Sequence, residues 1–221
     1  MKIYLVNGID VFDETFIEKC VAFFPEWRKV KMLRYKHLKG QIQCGLGYLL
    51  LIHALREEGV FNEMPEFSYN EHDKPFLKNY PGWYFNISHS KTAVCCILSR
   101  KDIGIDIEEV KEYKESLASY ICNDEELKSL HESEDKTDDF YKLWTMKESV
   151  FKMIGTGINN NIKDILNTPN INIESHKIDN IWLSVASYKP TASINIRFFT
   201  TIFYCHHIFA SRIKNEKVWE H

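Results

Sequence analysis

Two rhythms of apolar residues alternate along the chain, one near two and one near 3.6, and they divide it into strands and helices. "KIYLV" near the start is a strand. Residues from about Asp13 to Phe24 carry a helical pattern, and Pro25 opens a new element. "IQCGLGYLLLIHALREEG" is apolar on nearly every side, the mark of a buried helix, and it stops at Gly59. A looser region containing Pro65, Pro75 and Pro81 follows, and then three strands, "WYFNI", "TAVCCILS" and "IGIDIEEV". Helices are predicted from Leu117 to Ile154, interrupted by the solvated run "HESEDKTDD". After the loop "GTGINNNIKD", the segments "NINIES", "IWLSVAS", "ASINIRFF" and "TIFYCHHIFA" read as strands joined by turns. Helices and strands in mixed order predict an α+β fold, with a boundary between halves near residue 100.

Composition narrows the picture. At 221 residues, with 44% apolar and 14% aromatic side chains, the chain is long and apolar enough for a real core. A net charge of -3 excludes a polyanion-binding surface over the whole molecule. The one basic patch is "RKVKMLRYKHLK", with six Lys/Arg between Arg28 and Lys39 and no acid. The six cysteines show no CxxC pair and no regular framework, so they read as reduced thiols of a cytoplasmic protein. "MKIYLVNGIDVFDE" lacks the apolar core of a signal peptide, and the apolar run "YLLLIHAL" is too short to span a bilayer, so no membrane partner is expected.

Three constellations hold candidate chemistry. In "IGIDIEEV" the alternation of a strand puts Ile103, Ile105 and Ile107 on one face and Gly104, Asp106 and Glu108 on the other. Two carboxylates side by side fit a solvated strand face, and they also fit a hard divalent cation. In "FYKLWTMKESVFK", the positions Phe140, Leu143, Trp144, Met146, Val150, Phe151 and Ile154 fall on one arc at about 100° per residue. Tyr141, Lys142, Thr145 and Ser149 fall opposite. Glu148 and Lys152 follow Trp144 at steps of four, as an ordinary surface ion pair or as site residues. Lys147 points into the apolar arc, where an ammonium needs a partner such as a carboxylate. In "FNISHS", Ser88, His89 and Ser90 stand at a strand end and offer hydroxyls, an imidazole and backbone N–H groups to a phosphate. Upstream, Lys74 precedes Pro75 in "HDKPF" and supplies a point charge for another phosphate. GxSxG is absent, which counts against a serine hydrolase, and "MIGTGI" follows a helix instead of opening one, unlike a nucleotide loop. His206 and His207 adjoin in a strand pattern and would face opposite ways, unsuited to pair on a metal.

In order and spacing, "FNISHS", "IGIDIE" and "LWTMKESVFK", with "KPF" upstream, resemble the signature of the Sfp-type 4′-phosphopantetheinyl transferases. The resemblance implies a monomer of two similar α/β subdomains related by a pseudo-twofold axis, residues 1–100 and 101–221, with the active site in the cleft between them. It implies Mg²⁺-dependent transfer of phosphopantetheine from coenzyme A to a serine of an apo acyl or peptidyl carrier protein, releasing adenosine 3′,5′-bisphosphate. Mn²⁺ is an alternative metal. By position, Asp106, Glu108 and Glu148 would be metal ligands. Glu148 and Lys152 would be catalytic, with Glu148 taking the serine proton directly or through a water on the metal. The coenzyme A set would be Arg28, Lys31, Lys74, Ser88, His89, Asp106 and Lys152. Members of the family often carry an Arg in the helix after the basic segment, where Gln43 stands here, and this departure bears on the nucleotide grip.

Two rivals follow from the same residues. Glu109-Val110-Lys111 supplies the E-x-K string of a metal-dependent nuclease, but Glu109 points away from Asp106 and Glu108, and the basic segment is short for a duplex track, so no nucleic-acid partner is expected. A degenerate relative that binds carrier protein or coenzyme A without turnover is the other. The basic segment itself reads equally as a solvated helix face, a phosphate contact or a steering patch for acidic carriers.

Overall fold

A computed structural model describes residues 1–188 and 195–199. Strand β1 (Lys2–Asn7) leads through a 3-10 turn to α1 (Glu14–Phe23), α2 (Glu26–Leu33) and the long α3 (Leu38–Glu57). A short hairpin, β2 (Phe67–Tyr69) and β3 (Pro75–Leu77), precedes β4 (Tyr84–His89), β5 (Ala93–Ser99) and β6 (Ile103–Glu109). Three helices follow, α4 (Glu115–Ile121), α5 (Asp124–Glu132) and α6 (Lys136–Ile154), and then β7 (Ile171–Ile178), β8 (Ile181–Tyr188) and β9 (Asn195–Phe199). The mixed order expected from the sequence is present. The proline-containing region also holds a hairpin that its pattern did not predict.

Alternation builds the layers. The first sheet runs β4-β5-β1-β9 and the second β6-β8-β7. Ile3, Leu5, Cys95 and Ile97 face Ile103, Ile105, Ile107, Leu183 and Val185 in one buried cluster, so the sheets pack face to face. The other face of the first sheet, with Tyr4, Val6, Val94 and Cys96, meets α1 and α3. The other face of the second sheet meets α4, α5 and α6. Each fully buried Ile, Leu or Phe contributes about 1.5–3 kcal/mol relative to an exposed one, so these clusters dominate stability. Five cysteines among the described residues are free thiols, and Cys44 alone of them is partly exposed. No helix among the described residues is long and apolar enough to cross a membrane.

The sheets also meet edge to edge. β4 and β6 are edge strands, and Asn86 Oδ1 accepts a 3.0 Å hydrogen bond from the Ile105 amide. The side chain does what a paired strand would otherwise do for that donor. This contact sets the end of β4 beside the middle of β6.

Two expectations need correction. The run "HESEDKTDD" is not a long break: α5 continues to Glu132 and α6 begins at Lys136. Tyr141, Thr145 and Ser149 do not face away from the core; Tyr141 is buried in the cluster under the second half's helices, and Thr145 and Ser149 are fully buried against the second sheet. Their hydroxyls bond their own helix, Thr145 to the Lys142 carbonyl at 2.9 Å and Ser149 to the Met146 carbonyl at 2.7 Å. A hydroxyl satisfied locally buries without penalty, and a small side chain brings the helix close to the strand. The reason for the closeness is Gly104: a Cβ there would collide with the Ser149 carbonyl and the Met153 amide. The predicted strand "TIFYCHHIFA", with Cys205, His206 and His207, lies outside the described residues.

Candidate active site

Strand alternation divides the residues of "FNISHS" between two sides. Asn86, Ser88 and Ser90 turn toward β6, while Phe85, Ile87 and His89 line a cavity of ≈ 590 Å³ beneath α3. Ser88 Oγ donates to Asp106 Oδ1 at 2.8 Å, and Ser90 Oγ donates to Glu109 Oε1 at 3.3 Å. The two hydroxyls are therefore committed to carboxylates of β6, and of the three side chains only the imidazole looks into the cavity.

Lys152 completes this junction. From the last turn of α6 its Nζ donates to Asp106 Oδ1 at 2.6 Å and to Ser88 Oγ at 2.8 Å. Burial is the largest single influence on the Lys152 pKa and lowers it, but the charge and hydrogen bond of Asp106, with the Glu148 charge added, together hold the ammonium above its ordinary value. Glu148, one turn earlier on the same side, has its pKa pushed up to about 7. Burial is the main cause, and the Asp106 charge adds to it, with a smaller push from Glu108 and an opposing pull from Lys152. Glu108 is raised as well, by burial first and by Asp106 next. The charged forms of Glu108 and Glu148 are thus both disfavoured, by burial first and by the Asp106 charge next. Among the described residues no group of three His, Cys, Asp or Glu side chains closes into a ready metal cage. The donor set still suits a hard cation, which takes one or two carboxylates and completes its shell with water and phosphate oxygens. Asp106 Oδ2 is buried with no hydrogen-bond partner, a free acceptor beside the cluster that such a cation would satisfy.

Six of the expected site residues line a single cavity, Arg28, Lys31, Lys74, His89, Glu148 and Lys152, and Gln43 lines it with them. Ser88 and Asp106 sit behind Lys152, and Glu108 lies farther along β6 with Lys111 Nζ 3.6 Å away. The cations are held in different ways. Arg28 is buried: its guanidinium stacks 4.6 Å from the Tyr48 ring centroid and donates to the Cys44 carbonyl at 2.6 Å, leaving Nε without a partner. Lys31 donates to the Tyr69 hydroxyl at 2.7 Å. Lys74 Nζ donates to the Met153 carbonyl at 2.6 Å in the last turn of α6 and lies 3.6 Å from Asp102. Burial lowers its pKa, partly offset by Asp102. His89 stands at the mouth with an exposed ring; the protein around its imidazole, and after that the Lys152 charge, lower its pKa.

Lys147 does have the carboxylate partner that its position demanded. Its fully buried ammonium lies 2.7 Å from Glu126 Oε2 and donates to the carbonyls of Ile121, Ile162 and Lys163 at 3.0, 2.9 and 2.8 Å. Glu126 is also the third helical residue of α5, where it closes a capping box with Asn123. One charge therefore ties α4, α5, α6 and the loop after α6 together. Glu109 accepts from Thr92 Oγ1 at 2.6 Å and from Ser90 Oγ, so it belongs to the turn after β4, on the other side of the strand from Asp106 and Glu108. Gln43 donates to the Ser90 carbonyl at 2.7 Å. Sequence patterns alone gave no sign of these three bonds.

Residues 102–204 match the 4′-phosphopantetheinyl transferase superfamily. The chain is 30% identical over 161 residues to the 4′-phosphopantetheinyl transferase Sfp of Bacillus subtilis (strain 168), 72% of each chain. It is 34% identical over 155 residues to the 4′-phosphopantetheinyl transferase gsp of Aneurinibacillus migulanus, covering 69% of this chain and 63% of that one. To HetI of Nostoc sp. (strain PCC 7120 / SAG 25.82 / UTEX 2576), also a 4′-phosphopantetheinyl transferase, it is 32% identical over 144 residues, 62% and 56% of the two chains. The chain belongs to the 4′-phosphopantetheinyl transferase superfamily, and within it to the Sfp-type transferases.

Proposed function

We propose that this protein transfers 4′-phosphopantetheine from coenzyme A to a serine of an apo acyl or peptidyl carrier protein and releases adenosine 3′,5′-bisphosphate. The observation that carries the reading is the cavity itself. Arg28, Lys31, Lys74, His89 and Lys152 surround it, and Glu148 lines its wall in front of Asp106. A concentrated set of cations next to a cluster of carboxylates suits a phosphate-rich nucleotide bound beside a divalent cation. The chain would work as a monomer of two similar halves, residues 1–100 and 101–221, related by a pseudo-twofold axis with the site in the cleft between them. In support, each half has a long helix, α3 or α6, laid on one face of an antiparallel run of strands.

Asp106, Glu108 and Glu148 would hold Mg²⁺, or Mn²⁺, on the pyrophosphate. When bound, the cation would neutralise charge that builds on the pyrophosphate oxygens. Lys152, oriented by Asp106 and Ser88, adds a second positive charge there. Arg28, Lys31, Lys74 and His89 would grip the remaining phosphates. The carrier serine oxygen attacks phosphorus: a new O–P bond forms, the pyrophosphate P–O bond breaks, and its electron pair leaves with the nucleotide. Glu148, one of the three carboxylates of this cluster, would take the serine proton directly or through a water. Much of the rate would come from orientation and fixed charge.

The test is to mix the protein with coenzyme A, Mg²⁺ and several apo carriers and follow the carrier mass. An added phosphopantetheine on at least one carrier is expected; none on any, with coenzyme A still bound, would leave only a degenerate binding module. Asp106→Ala and Glu148→Gln should each lower transfer by about 10²-fold or more with the fold retained. Lys152→Ala should raise KM for coenzyme A more than KM for carrier.

A further inference from the structure

The turn that follows β4 is held from three directions. It runs from Ser90 to Ala93, closed by the Ser90 amide on the Ala93 carbonyl at 2.9 Å. From α3, Gln43 Nε2 donates to the Ser90 carbonyl at 2.7 Å. From the end of β6, Glu109 Oε1 accepts from Thr92 Oγ1 at 2.6 Å and from Ser90 Oγ at 3.3 Å. From the turn after β1, the amides of Gly8 and Ile9 donate to the Thr92 carbonyl at 2.9 and 3.0 Å. A bare β-hairpin turn needs none of these bonds from outside. His89 is the residue immediately before this turn, at the end of an edge strand, and its own side chain is exposed at the cavity mouth.

We propose that Gln43 and Glu109 are positioning residues for His89: they hold the Ser90–Ala93 turn from α3 and β6 so that the imidazole faces the phosphates of coenzyme A. The inference rests on the transfer reaction and the His89 role proposed above. It also gives Gln43 a task different from that of a cation at its position. The amide stands in the cavity wall and donates to the backbone of the turn, fixing the neighbour on which the imidazole stands. Glu109 works as an acceptor of two hydroxyl protons, so its charge is dispensable and its oxygen is not.

The experiment compares Gln43→Ala, Glu109→Ala and Glu109→Gln with the wild-type protein, each alone and combined with His89→Ala. Gln43→Ala should raise KM for coenzyme A about fivefold, the size of one lost neutral hydrogen bond, and Glu109→Ala, which removes two bonds to a carboxylate, at least as much, with kcat and KM for carrier within about twofold. Glu109→Gln keeps an acceptor oxygen and should restore the wild-type KM. In the His89→Ala background both alanine changes should lose their effect, because a residue that acts through His89 has nothing left to act on. An undiminished effect in that background, or no effect in the wild-type background, overturns the proposal. A second readout needs no turnover: the His89 ring resonances in NMR spectra should shift or broaden in Glu109→Ala and recover in Glu109→Gln. Unchanged resonances also overturn it. If wild-type protein transfers nothing, or if His89→Ala leaves the coenzyme A KM unchanged, the functional reading fails, while the NMR comparison still decides the clamp.

Discussion

α3 and α6 have nearly the same length, 20 and 19 residues, and each backs one sheet, yet they reach burial by opposite means. α3 buries an apolar run from Tyr48 to Ile52 and places its glycines on the helix, where a Cβ at Gly45 would lie 3.2 Å from Cys20 Sγ and one at Gly47 would lie 2.9 Å from Ile87. α6 buries Thr145, Lys147 and Ser149, and the glycine that admits it, Gly104, stands on the strand. A glycine on the strand leaves every helix position free to carry a side chain. That is why Glu148 and Lys152 come from α6, and why α3 contributes mainly a wall. The apolar helix can be read as stability; the polar one is a scaffold whose buried groups are all partnered.

The largest expected effect is at Lys147. Lys147→Met would strand Glu126 and three carbonyls, and unfolding in urea should show a loss of about 3–5 kcal/mol. A loss below about 1 kcal/mol would mean that the ammonium is not what unites the helices of the second half. On α3, Leu50→Ala should cost about 2–5 kcal/mol in the same measurement, by cavity formation, with KM for both substrates unchanged. If KM moved, the apolar side of α3 would do more than support the wall. Gly104→Ala should cost about 1–3 kcal/mol by overpacking and also lower kcat, since α6 must shift and take Glu148 and Lys152 with it. Unaltered kinetics would break the link between that glycine and the site.

The smallest effect is one of pH. Glu148 holds its proton more tightly in the folded protein, with a pKa pushed up to about 7 from an ordinary 4.5, so the folded state loses relative stability as pH climbs through that window. Glu148→Gln removes the penalty. In thermal melts without divalent cation, its Tm advantage over wild type should be small at pH 4.5 and should grow up to about pH 7. A constant difference would mean that the folded protein does not raise the Glu148 pKa. Cation affinity should run the other way, falling as pH drops below about 7, because proton and metal compete for the same oxygens.

The comparison of the two helices also shows what a sequence conveys. α3 was legible because every cue agreed: an apolar run of helical length and a glycine stop. Strands β4, β5 and β6 were legible from alternation, and so was the assignment of Asp106 and Glu108 to the face opposite Ile105. α6 was legible as a helix but not in its orientation. The assumption that polar residues face water fails for Thr145 and Ser149, whose hydroxyls turn back on their own helix. That Lys147 needed a partner followed from its direction; that the partner was Glu126 did not, since the choice among distant carboxylates is made by tertiary packing. The hydrogen bonds of Gln43 and Glu109 likewise depend on how α3 and β6 approach one turn, which no local pattern encodes.

The placement of β9 has a consequence for how the chain becomes this molecule. β1 pairs with β5 on one side and, in parallel, with β9 on the other, Lys2 opposite Asn195 and Val6 opposite Phe199. During synthesis the first strand made must therefore wait with one edge open until one of the last is delivered. The sheet on which the rest is stacked is completed late, across the longest sequence separation between paired strands among the described residues. A ribosome-bound nascent chain stopped after β6 would present that edge to other chains, and aggregation through it is the hazard to expect. Division near residue 100, natural as it looks from the order of helices and strands, would leave the first fragment with an unpaired seam.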